Sequence, residues 1–237
     1  LEVQGGSDDE DITGTGGDDV LSGKQGADTL SGGVGDDTLT GGSGNDRFNV
    51  DAGADVITDL GNDDIVDVSD GATVTANDVT SFTATNQTQK VGSNAAGFVI
   101  NADAGGSTID MDLATVNTAG TDGFTLNGGA GVDTLTGSDG DDVITGGANG
   151  DEITGGGGDD SMTGGDGDDT YIFAGAADAG DDIVEAGAGG TDTIETTATA
   201  DLSGLDFNGT DGGVWDQLEQ VVIEGESTLT VSGTQLS

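Results

Sequence analysis

The chain has 237 residues with 47 Asp+Glu against three basic residues, a formal net charge of −44, 48 glycines, and neither cysteine nor histidine. Lys24, Arg47 and Lys90 cannot form the basic stripe that phosphate binding needs, which excludes nucleic acid as a partner and disfavours an anionic membrane surface. Disulfides are ruled out, the usual general base, zinc ligand and triad member is missing with histidine, and no apolar run is long enough to span a bilayer.

Residues 5–67 divide without remainder into seven nonapeptides: GGSDDEDIT, GTGGDDVLS, GKQGADTLS, GGVGDDTLT, GGSGNDRFN, VDAGADVIT and DLGNDDIVD. Position six is Glu10 and then Asp19, Asp28, Asp37, Asp46, Asp55 and Asp64, while position eight is Ile12, Leu21, Leu30, Leu39, Phe48, Ile57 and Val66. Nine residues make two and a half helical turns, so successive units would present opposite helix faces, and the glycines disfavour a helix further. A solenoid suits the pattern. The glycine-rich half of each unit makes a tight turn with positive-φ positions, and the last three residues make a short strand whose middle side chain points inward. With two units closing one coil, coils stack at about 4.8 Å and position six lines up every second unit along each edge.

Residues 68–127 lose the aspartate column and carry apolar points at Phe82, Val99, Ile100, Ile109, Met111, Leu113, Phe124 and Leu126. Alternation over 107–113 reads as a strand. The expectation is that irregular, metal-free coils continue the solenoid here, with a separate β insertion as the alternative.

A second repeat run covers 128–172 as GGAGVDTLT, GSDGDDVIT, GGANGDEIT, GGGGDDSMT and GGDGDDTYI. Two units follow with slips: four extra residues (173–176) precede ADAGDDIVE, and AGAGGTDTIE carries one extra. Position six is Asp133, Asp142, Asp151, Asp160, Asp169, Asp182 and Asp192, and position eight is Leu135, Ile144, Ile153, Met162, Tyr171, Val184 and Ile194. Leu126 lies nine residues before Leu135, so the core column starts ahead of this run. In the tail, 218–223 and 227–231 read as strands, with Phe207 and Trp215 as candidates to cap the stack. The organisation expected is therefore a first roll over 1–67, irregular coils or an insertion over 68–127, a second roll over 128–195, and β-rich coils with a cap over 196–237. At 18 residues per coil the whole chain would make about 13 coils.

Stacked carboxylates about 5 Å apart repel by roughly 1 kcal/mol per neighbouring pair even in water. A divalent cation between coils reverses that sign. Ca²⁺ takes six to eight hard oxygens in tolerant geometry, which carboxylates and the carbonyls of glycine turns can supply together, whereas Mg²⁺ demands a strict octahedron. The thirteen position-six aspartates from Asp19 to Asp64 and from Asp133 to Asp192 are the candidate ligands, and multiple Ca²⁺ ions the expected cofactor.

The units resemble the repeats-in-toxin (RTX) family, with its pattern GGxGxDxUx matched best by GGVGDDTLT at 32–40 and GGDGDDTYI at 164–172. The resemblance covers 5–67 and 128–195. It implies an all-β fold, a right-handed parallel β-roll or β-solenoid, with Ca²⁺ held between coils by the position-six aspartate and turn carbonyls, and secretion from Gram-negative cells by a type I route. Departures from the pattern include Asp8 and Glu10 in the first unit, Val50 and Asp59 for leading glycines, where the column is expected to fray, and an inverted Asn149-Gly150.

Catalysis is disfavoured because the common hydrolytic arrangements need histidine and nearly every Asp belongs to a repeat. The leading class is a non-enzymatic module of a secreted, extracellular surface protein of surface-layer or adhesin type, with self-assembly or a cell-surface glycan as further partners. The alternative is the repeat region of a toxin or exoenzyme. A regular ice-binding array is broken by Arg47, Asn49 and Glu152.

Overall fold

A computed structural model describes residues 1–61, 63–69, 72–84, 88–90, 97–112, 114, 123–174, 182–185, 187, 190–196 and 218–223. Among them there is no helix, so none is long and apolar enough to cross a membrane. Every paired strand is parallel to its partner, which makes the fold an all-β solenoid.

One face is a single ten-stranded sheet that runs through both repeat regions and the stretch between them. It stacks Glu2–Gln4, Val20–Gln25, Thr38–Ser43, Ala54–Ile57, Thr73–Val79, Phe98–Ala102, Thr125–Ala130, Val143–Ala148, Ser161–Asp166 and Ile183–Glu185 in that order. The opposite face is split into a five-stranded sheet ending at Gln89–Lys90 and a seven-stranded sheet beginning at Ser81–Thr83. In the repeats each residue pairs with its counterpart 18 positions on, as Leu21 with Leu39 and Ile144 with Met162. Two nonapeptides therefore close one coil.

Position eight is the core. Every one of its residues from Ile12 to Val66 and from Leu135 to Ile194 is at most 7% exposed. The strand alternates, so its two flanking side chains point outward and only the middle one is buried, as in Thr29–Ser31, where Leu30 is buried between two partly exposed neighbours.

Between the runs the coils lengthen. Phe98 pairs with Val74 24 residues earlier, and Val99 with Thr125 26 residues later. An asparagine ladder bridges these coils: Asn101 Nδ2 donates to Asn77 Oδ1 at 2.8 Å, and Asn127 Nδ2 to Asn101 Oδ1 at 2.8 Å. Phe98 and Phe124 meet edge to face, ring centroids 5.5 Å apart. The core there is filled by Phe82, Phe98, Ile100, Ile109, Met111, Phe124 and Leu126.

Four sequence expectations change. Val99 lies outside the buried column and Phe98 is inside it, because the strand Phe98–Ala102 alternates with Phe98 and Ile100 inward. The strand expected over 107–113 stops at Asp110, where Asp110 Oδ1 accepts the Asp112 N–H and a turn joins the Met111 carbonyl to the Ala114 N–H. The strands do not fray at 50–67, since Val50 is fully buried and Arg47–Val50 and Ile65–Val68 pair in register, although Asp64 Oδ2 there accepts the Gly61 N–H. Among the described residues the continuous face has ten strands, fewer than the about 13 coils of a uniform repeat, and the irregular coils each consume more than 18 residues.

The slips of four and one residues are absorbed between coils, with spacings of 22 from Asp160 to Asp182 and 23 from Asp169 to Asp192. The strand Leu218–Ile223 forms and pairs with Asp192–Thr196. Leu113, Phe207, Trp215 and the 227–231 strand lie outside the described residues.

Candidate metal centre

All thirteen position-six aspartates lie at the edges where strand meets turn, and each is at most 4% exposed. Burial follows from the fold, because each carboxylate is covered by the coils above and below. One oxygen of each column member is satisfied by the backbone. Oδ1 of Asp37 accepts the Asp19 N–H at 2.8 Å, Oδ1 of Asp55 the Asp37 N–H at 2.9 Å, and Oδ1 of Asp28, Asp46 and Asp64 the N–H groups of Glu10, Asp28 and Asp46 at 2.8 Å each. The second run repeats the ladder from Asp133 to Asp151, Asp169 and Asp192, and from Asp142 to Asp160 and Asp182, at 2.8–2.9 Å. Ser107 and Phe124, which precede the run, donate their N–H groups to Asp133 and Asp142.

The second oxygen is different. Oδ2 of Asp28, Asp37, Asp55, Asp133, Asp151, Asp160 and Asp169 is buried with no hydrogen-bond partner. A buried anionic oxygen left unpaired costs more than any neutral polar group, so something must compensate it. The position-one glycine shows where. A Cβ on Gly146 would sit 2.5 Å from Asp151 Oδ2 and 2.7 Å from the Gly164 carbonyl of the next coil. On Gly23, Gly32, Gly41, Gly155 or Gly164 it would overlap the Oδ2 of that unit's own aspartate. The missing Cβ thus leaves a small cradle in which a carboxylate oxygen and a carbonyl oxygen from successive coils converge. Two hard oxygens of this kind, one charged, fit a hard cation.

Among the described residues no three carboxylate, cysteine or histidine side chains converge as a metal cluster. A cation here would therefore take much of its shell from backbone carbonyls. The turns present them through positive-φ positions such as Gly35 (φ 138°) and Gly44 (φ 141°), and Asn149 adopts φ 80° at the equivalent place.

The electrostatics agree with an uncompensated column. Burial pushes Asp55, Asp64 and Asp151 up to about 6 and Asp160 up to about 8, against the lowering effect of the N–H that each accepts, and neighbouring aspartates push the same way. Burial also raises Asp46, Asp133 and Asp169. Asp19 goes the other way, held below the ordinary carboxylate value by the Leu1 amino group and then by Thr15.

Several contacts were not anticipated from sequence. Position-five aspartates form an outer ladder, in which Asp9, Asp36 and Asp168 accept the N–H groups of Ala27, Ala54 and Thr191 at 2.8, 2.9 and 2.7 Å. Asp59, standing for a leading glycine, reaches back to the Gly41 and Gly42 N–H groups at 2.9 and 2.6 Å. Glu10 Oε2 accepts the N–H of Gly6 in its own turn at 3.0 Å, and Asp64 Oδ2 that of Gly61 at 2.9 Å. The signal for the outer ladder was the recurrent Asp-Asp pair, in which the position-five side chain serves the coil after it and the position-six side chain the coil before it.

A parallel solenoid with a buried aspartate column along its turns, and carboxylate and carbonyl oxygens of successive coils brought together beside its glycines, defines an acidic repeat module. The model of the RTX calcium-binding nonapeptide repeat (4 copies) matches residues 4–39, 40–74, 120–153, 136–171 and 145–178. The chain belongs to this family, whose repeat is a structural calcium-binding module and not itself a catalyst. No curated protein matches the chain.

Proposed function

We propose that Ca²⁺ ions sit between successive coils, held by Oδ2 of the position-six aspartates and by turn carbonyls, and that they staple an exported chain into a rigid rod outside the cell. The observation that carries this reading is the row of buried, unpartnered Oδ2 atoms at Asp28, Asp37, Asp55, Asp133, Asp151, Asp160 and Asp169, all but Asp55, whose unit opens on Val50, beside a glycine with no room for a side chain. Ca²⁺ supplies charge compensation there and no chemistry. The chain's own residues orient the oxygens: the Oδ1 ladder fixes each carboxylate, and the glycines keep the cradle open. Asp46, Asp182 and Asp192 belong to the same columns and extend the set, and Asp64 stands in its column with Oδ2 already accepting the Gly61 N–H.

The rod would serve a surface-layer or adhesin-type protein that leaves the cell unfolded, by a type I route, and folds on meeting extracellular calcium. The net charge of −44 with three cations supports this, because such surfaces associate only with a bridging cation or a neutral partner such as a glycan. The domain scheme follows: calcium rolls over 1–67 and 128–195 joined by metal-free coils over 68–127. The alternative, a repeat region attached to a toxin or exoenzyme, uses the same module. Calcium titration of the chelator-treated chain by calorimetry tests the metal reading, with multiple ions bound per chain expected. Absence of binding at millimolar calcium would refute it.

A further inference from the structure

Three position-six aspartates have a hydrogen-bonded Oδ2, and in two of them a hydroxyl takes part, whereas Asp64 Oδ2 accepts the Gly61 N–H at 2.9 Å. Oδ2 of Asp19 accepts the Thr15 N–H at 2.5 Å and the Thr15 hydroxyl at 3.0 Å. Oδ2 of Asp142 accepts the Ser138 N–H at 2.6 Å and the Ser138 hydroxyl at 3.1 Å. The hydroxyl of Ser138 in turn accepts the Gly140 N–H at 3.2 Å, and Ser138 is buried. The same closure has arisen in both runs, in units 14–22 and 137–145.

Thr15 and Ser138 occupy position two of their units. Six other units carry glycine there with positive φ, Gly33, Gly42, Gly129, Gly147, Gly156 and Gly165, while Gly6, in the unit whose position six is Glu10, lacks it and donates its N–H to Glu10 Oε2 at 3.0 Å. Lys24, at the same position and without a short side-chain oxygen, keeps a positive φ of 87°, and Asp28 in its unit retains the orphaned Oδ2. Thr15 and Ser138 do not take the left-handed conformation. Their N–H groups instead face the carboxylate four residues on, in the local turn that Ser and Thr favour. Two donors then occupy the oxygen that a cation would need, and their positive ends point where the cation would sit.

We propose that Thr15 and Ser138 act as hydroxyl plugs, so that the turns of Asp19 and Asp142 close by hydrogen bonds and hold no calcium while the neighbouring turns take it. Each run then contains one turn that a hydroxyl closes without metal. Asp142 also accepts the Phe124 N–H from the irregular coils and donates its own N–H to Asp160, so this metal-independent turn joins the calcium run to the coils before it. The proposal rests on the calcium reading above.

The test counts bound calcium on the full 237-residue chain after equilibrium dialysis and metal analysis. Thr15→Gly and Ser138→Gly should each add one ion per chain and the double variant two, whereas Thr15→Ser and Ser138→Thr should leave the count unchanged. An unchanged count in the glycine variants overturns the proposal, and a reduced count does so by making the hydroxyls ligands. The unaltered chain provides a second reading that needs no variant to fold: anomalous scattering from calcium-loaded crystals should show ions beside Asp37 and Asp151 and none beside Asp19 and Asp142. An ion at either closed turn overturns the proposal. A chain that binds no calcium anywhere sinks the calcium reading itself, an outcome distinct from the others.

Discussion

Leu39 tests whether the interior is a single stacked column. It is fully buried and pairs with Leu21 on one side and Ile57 on the other. In Leu39→Ala the coils cannot close over the lost side chain, because backbone hydrogen bonds hold successive strands about 4.8 Å apart. Buried Leu→Ala changes cost about 2–5 kcal/mol depending on how far the site collapses, and a site this constrained belongs in the upper half, about 3–5 kcal/mol. A solenoid transmits stability mainly between neighbours, so the loss should stay in the first run. Hydrogen exchange with mass spectrometry in saturating calcium reads this locally. Opening free energies should fall in the strands Val20–Gln25 and Thr38–Ser43 and hold in Val143–Ala148 and Ser161–Asp166. Val34→Ala, at a side chain 63% exposed, is the control and should change stability by about 0.5 kcal/mol or less. A Leu39→Ala loss no larger than the control's would show that the column does not carry the packing.

Other perturbations address the edges of the coils. Asp37→Ala removes one orphaned oxygen and should lower calcium occupancy in the first run, leaving 128–172 loaded, as measured by metal content and by local exchange. Gly32→Ala should act like the loss of Asp37, since its Cβ would overlap Asp37 Oδ2; normal calcium binding in this variant would show that the cradle is not the site. For pH, the calcium-free fold holds Asp55, Asp64 and Asp151 up to about 6 and Asp160 up to about 8, above the ordinary value of 3.8 expected when unfolded. The folded state then binds more protons than the unfolded one across about pH 4–8, so its stability without calcium falls as pH rises through that window. Circular dichroism in chelator should show β structure gained on acidification from pH 8 to 5, and a signal that instead grows with rising pH would contradict the electrostatics.

The repeats were readable because each residue stacks on its own copy. A period of nine, an acid at position six and an apolar residue at position eight fix coil length, edge and core together, which is how Leu39 and Asp37 could be placed in advance. The same logic fails where copies stop. Between the runs, coil length depends on which aromatic reaches the interior, and only the strand register decides between Phe98 and Val99. Met111 alternates correctly with Ile109, yet the chain turns there because Asp110 captures a local N–H group. The closed turns left a short signal, a hydroxyl residue four before the aspartate in Thr15 and Ser138, outweighed by the intact Gly-Asp framework around it. Glycine at position one looked like turn chemistry; its sharper role is to leave room for a carboxylate oxygen.

The central claim is that metal, and not apolar burial alone, makes this chain fold. Each nonapeptide contributes essentially one inward side chain, and the formal charge of −44 opposes compaction. Far-ultraviolet circular dichroism of the chain at neutral pH, with excess chelator and then with calcium restored, tests this most directly. The account predicts a largely disordered spectrum in chelator and a cooperative return of β structure on adding millimolar calcium. A β spectrum unchanged after all calcium has been removed would contradict it.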